Sequence, residues 1–178
     1  TAGALNATSN IVFIPGMSVL IGVTRLTPTL CTTVAEFTAA FGSKVPTLTG
    51  DTNAPQDKSF IMARELLALG VPVLYEALSA TSVTKDAIVT EISADNFFTP
   101  LSDRGTYNVK FITTGGYPLW TVSATGTTSV TSIKKLLDVA STRGDCTALV
   151  DYDCANHSAI KIGRIQSAAD SAFGTLTG

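Results

Sequence analysis

The stretch ARELLALGVPVLYEAL, residues 63–78, sets a helix and a strand on either side of one glycine. Just upstream and within it, Phe60, Ile61, Ala63, Leu66 and Leu67 supply a broad apolar face at helical spacing. Pro55 stands where a first helical turn tolerates a ring in place of an N–H. Gly70 ends the helix, and residues 71–78 then read as a buried strand whose early Pro72 marks the start of the pairing. A continuous apolar strand has both faces covered, which is the habit of parallel sheets flanked by helices.

The same alternation continues outward in both directions. Residues 10–24 carry Ile11, Val12, Phe13 and Ile14, then Val19, Leu20, Ile21 and Val23: two short β runs separated by Pro15 and Gly16. A compact helix follows, with Thr33 and Glu36 at capping-box spacing, Val34, Phe37, Ala40 and Phe41 on one face, and Gly42 as a left-handed stop. Residues 44–54, with Pro46, Gly50, Asp51 and Asn53, read as a loop.

Toward the other end, Ala87, Ile88 and Ile92 mark a third helix over residues 85–93. Residues 108–113 read as a strand alternating on Val109 and Phe111 and closing in a Gly115, Gly116 turn, with a second short β candidate at 120–124. Ser129 caps a helix built on Ile133, Leu136, Leu137 and Ala140, and the apolar run 146–150 ends at Asp151. A last helix is expected over 165–173. Strands alternating with helices predict an α/β fold, a mostly parallel or mixed sheet with helices packed on its faces. All 178 residues are expected to form one domain. The chain opens at Thr1 without methionine and closes on a small polar tail, so a processed protein or a core portion of a longer one is expected.

Composition narrows the function classes. Hydrophobic residues make up 45% of the chain and charged residues only 15%, against about 25% charged in soluble domains. With so few charges to cover its exterior, either part of the surface is covered by sister subunits or the chain is a monomer with a Thr- and Ser-rich surface. A net charge of −2 gives no electrostatic footprint for nucleic acid. No apolar run approaches the roughly 18 residues of a membrane span, and no basic and apolar leader opens the chain. Three cysteines, Cys31, Cys146 and Cys154, are an odd number in a chain large enough to fold without staples, which predicts reduced thiols and cytoplasmic assembly.

Ligands of open α/β sheets sit beyond the carboxyl ends of the strands. Asp151, Asp153, Cys154 and His157 follow one such end, and their oxygen, sulfur and nitrogen donors have the makings of a divalent metal site or a small nucleotide- or metal-binding enzyme domain centred on residues 151–157. The set has no CxxC or HxxxH partner, and polar residues after a buried strand usually cap the next turn, so no metal or cofactor is assigned. Gly126, Thr127, Thr128 and Ser129 open a helix, but Lys134 and Lys135 lie too deep in it for a phosphate loop, and a plain cap is the favoured role. Thr114, Gly115, Gly116, Tyr117 and Pro118 meet no phosphate-binding fingerprint. With one histidine and no GxSxG elbow, no catalytic residue is assigned. Arg143, Gly144 and Asp145 spell an adhesion tripeptide, for which the plainer reading is a glycine helix stop with two solvating charges. Tyr117 and Trp120 flank Pro118 as an aromatic contact surface or as core.

Three ordered segments resemble the sheath subunits of contractile phage-type tails. The first is Val12 to Gly16, then Thr27, Pro28 and AEFTAAFG at 35–42, similar to the β segment, proline turn and short helix ending "EF…FG" of sheath proteins. The second is the helix and strand pair at 63–78. The third, LLDVASTRGDCTALVDYD at 136–153, resembles the sheath pattern of a helix ending in arginine and aspartate before an apolar strand that closes on aspartate. YNVKFITTGGY at 107–117 is similar to large phage sheaths in particular. The extended terminal arms and further C-terminal portion of sheath subunits are not seen here, which again marks a core portion.

The resemblance implies a virion structural protein, not an enzyme: a homo-oligomer in a helical assembly, stacked in rings around a tail tube and contracting to drive that tube through the host envelope. It implies partners in sister sheath subunits, the tail tube protein, the baseplate and the tail terminator, with no direct nucleic acid and no membrane insertion. It also implies assembly in the host cytoplasm and strand exchange between neighbours through flexible arms.

Overall fold

A computed structural model describes residues 10–50, 56–94, 96–117 and 131–149, with side chains from 136 in the last segment. Five strands, β1 (Ile11–Gly16), β2 (Thr29–Cys31), β3 (Val73–Ala77), β4 (Val109–Thr113) and β5 (Thr147–Leu149), form one sheet in the order β2-β3-β1-β4-β5. β1 pairs in parallel with β3 and β4, β4 pairs in parallel with β5, and β2 alone runs antiparallel, on β3. The predicted α/β class is therefore the observed one.

Four helices cover the sheet: α1 (Val34–Phe41), α2 (Lys58–Ala68), α3 (Lys85–Ile92) and α4 (Thr131–Arg143). β1 shows why both faces need cover. Val12 and Ile14 pack with Phe37, Phe41, Phe60 and Tyr75 beneath α1 and α2. Ile11 and Phe13 point the other way, into a second cluster with Ile88, Ile92, Phe98 and Leu136 beneath α3 and α4. The period-2 alternation of an apolar run thus feeds two cores from one strand.

Helix ends follow their local chemistry. Thr33 Oγ1 accepts the N–H of Glu36 at 3.1 Å, while the Glu36 carboxylate reaches back one residue beyond the cap to the N–H of Thr32 at 2.7 Å. Gly70, at φ +79°, closes α2: its N–H reaches Leu67 O at 3.0 Å and that of Val71 reaches Leu66 O at 2.9 Å, the paired bonds of a Schellman stop.

Three expectations need correction. α2 begins at Lys58 with Asp57 as its cap, later than the start expected at Pro55, which itself lies outside the described residues. Residues 19–23 form no strand. Both sides of β1 are taken by β3 and β4, and the N–H of Val19 bonds Phe41 O at 3.3 Å, which diverts the chain across the end of α1. The free edge of β3 is filled instead by the three residues of β2. The alternation on Val109 and Phe111 also fails: Ile11 pairs with Val109 and Val12 with Phe111, so Lys110 is an extra residue in β4. That irregularity turns Val109 and Ile112 into one core and leaves Phe111 at 37% exposure on the opposite face. The expected strand at 120–124 and helix at 165–173 lie outside the described residues.

Candidate functional site at the carboxyl ends of the strands

The chain leaves β1 toward β3 on one side and returns through β4 on the other, so the crevice between the carboxyl ends of β1 and β4 is the topological switch point where such sheets bind ligands. Here that place is filled by the protein itself. Asp57, fully buried, accepts the main-chain N–H of Met17 at 2.7 Å on Oδ2. Its Oδ1 accepts the Ser59 N–H at 3.0 Å, the Ser59 hydroxyl at 2.5 Å and the Tyr117 hydroxyl at 2.7 Å. Tyr75 lies alongside, its hydroxyl donating to Met17 O at 2.8 Å, and burial followed by the nearby Asp57 charge holds that phenol well above its ordinary range.

Two glycines make this closeness possible. A Cβ on Gly16 would run into the hydroxyls of Tyr75 and Ser59, and one on Gly115 would lie 2.5 Å from Pro15 O. Gly115 also sits at φ +72°, in the turn where the N–H of Tyr117 bonds Thr114 O. Thr113 completes the seam by donating its hydroxyl to Phe13 O at 2.9 Å. A fully buried carboxylate with four donors acts as a structural clamp.

Asp151, Asp153, Cys154 and His157, the Gly126 to Ser129 cap, Trp120 and Pro118 lie outside the described residues. Among the described residues no three of His, Cys, Asp and Glu converge as a metal centre. Tyr117 is core, joined to Asp57. Of the adhesion tripeptide, Arg143 is buried, Gly144 is exposed and Asp145 is partly exposed. Arg143 is 1% exposed and donates to the carbonyls of Leu101, Tyr107 (2.9 Å) and Val109 (3.3 Å) and to both oxygens of Asp145. Gly144 stops α4 at φ +66° as expected, but Arg143 fastens three main-chain segments where solvation of the connection was predicted. Cys31 and Cys146 are free thiols, and burial pushes the Cys31 thiol up to about 11, which makes it a poor nucleophile.

Apolar surface is the other conspicuous feature. The loop after β1 projects Val19, Leu20, Ile21 and Leu26, with Ile21 wholly exposed, and Leu26 adopts φ +57° there. On the α2 face, a groove of about 560 Å³ is lined by Val12, Met62, Leu66, Phe111 and Leu149 and reaches Asn10 and Val71 at the amino ends of β1 and β3. The sequence concealed both: the loop had been counted as a strand, and Phe111 as an inward residue. No helix among the described residues is long and apolar enough to cross a membrane. No protein-family model, no curated protein and no solved structure matches this chain.

Proposed function

We propose that this chain is the core portion of a contractile tail sheath subunit, which polymerises around a tail tube and works by changing its contacts with sister subunits. The three ordered segments that resemble sheath proteins give the reading its specificity. The observation that carries it in the structure is a pair of separate apolar surfaces: an Ile21 knob beyond the carboxyl end of β1, and a groove on the α2 face of the sheet. A knob and a groove on different parts of one subunit suit a head-to-tail contact, which closes into a ring or propagates as an open helix. The filled crevice at the switch point agrees with a rigid block whose carboxyl-end chemistry has become internal hydrogen bonding. Tail tube, baseplate and tail terminator would be its further partners, and the virion tail its location.

Sedimentation velocity over a concentration series tests the reading. Association that grows with concentration and is lost in both Ile21→Asp and Phe111→Asp, with unchanged circular dichroism, is the expected result. A wild-type protein that stays monomeric throughout contradicts it.

A further inference from the structure

Glu76 is the fourth residue of β3 and 4% exposed. Strand parity sends Tyr75 and Ala77 into the core beneath α1 and α2, so Glu76 turns with Leu74 toward α3. There it meets Glu91, whose carboxylate is fixed by the N–H of Ser79 at 2.9 Å on one oxygen and the hydroxyl of Ser82 on the other. Both glutamates line a cavity of about 200 Å³, together with Leu26, Ala94, Asn96 and Phe97. Among the described residues no hydrogen bond or ion pair reaches the Glu76 carboxyl. The cation on the adjoining loop, Arg25, donates to Leu78 O at 2.5 Å and Leu20 O at 3.5 Å. A buried carboxyl with no partner, aimed into a cavity beside a second carboxylate, is costly unless something positive or a proton sits with it.

We propose that Glu76 and Glu91 form a site for a divalent cation of the calcium type, completed by the Asn96 side-chain oxygen and by water. The donors are all oxygens, which suits a hard cation and disfavours zinc or copper. At about 30 Å³ per water, the cavity has room for an ion and several waters, and calcium accepts the irregular geometry that a loop residue and two flexible carboxylates impose. The site lies within one subunit and stands whether or not the chain polymerises.

Calorimetric titration of CaCl2, with MgCl2 alongside, into protein freed of metal by chelation tests it. The expected result is one calcium per chain at neutral pH, bound at least tenfold more weakly in Glu76→Gln and Glu91→Gln. Glu76→Gln keeps the side-chain volume and removes only the charge; should it fail to fold, Asn96→Ala, at an exposed position, carries the test by weakening calcium binding. Absence of heat and of any melting shift at millimolar CaCl2, or undiminished binding in a folded Glu76→Gln or Asn96→Ala protein, would overturn the site.

Discussion

The Asp57 carboxylate accepts the N–H of Met17 at 2.7 Å while its other oxygen takes the hydroxyl of Tyr117 at 2.7 Å, so one side chain ties the residue after β1 to the turn after β4. As the cap of α2 it also fixes where the helix leaves the sheet. The two central strands, which have no sequence continuity, are thereby fastened at their carboxyl ends through a helix cap.

Asp57→Ala would leave the buried N–H of Met17 without its partner and remove the α2 cap. A loss of about 3 kcal/mol or more is expected, read as a lower urea midpoint with unchanged slope. A variant as stable as wild type would show that the clamp is dispensable.

Arg143→Met removes a guanidinium that serves the carbonyls of Leu101, Tyr107 and Val109, and a loss of about 3 kcal/mol is expected on the scale of broken buried networks. Arg143→Lys should recover only part of it, because a single ammonium lacks the planar fork that reaches separated acceptors. Equal stability of the lysine variant and wild type in thermal melts would count against this reading.

Glu76 predicts an unusual pH dependence. Its folded pKa of about 7 lies above the ordinary 4.5, with Glu91 as the charge that faces it. Between those values the native state holds more protons than the unfolded chain, so this group's contribution to stability falls as pH rises from about 4.5 to 7, by about 3 kcal/mol at most. In chelator, Glu76→Gln should match wild type near pH 4.5 and exceed its stability near pH 8. The opposite order in paired denaturant titrations would refute the assignment.

Much of the fold was legible because its signals are local. Thr33 and Gly70 mark helix ends through bonds to neighbours in sequence, and the helix and strand of residues 58–77 are each written in their own periodicity. What escaped depends on competition between distant segments. Ile21 lies in a run with strand composition, yet β1 has no free side to receive it, and only the folded sheet reveals that. Lys110 inverts the facing of Phe111 through an irregularity in pairing with Ile11 and Val12. Asp57 did carry a signal, an aspartate two residues before Ser59 and the apolar run of α2, but Pro55 drew the helix start too early. Nothing local to Arg143 indicates that its guanidinium meets carbonyls more than thirty residues away.

Electron microscopy of the purified protein at high concentration addresses the assembly proposal most directly. Hollow tubes of regular axial repeat in wild type, reduced to dispersed particles by Ile21→Asp with the fold intact, are the predicted outcome. Dispersed wild-type particles that turn over a substrate would contradict it.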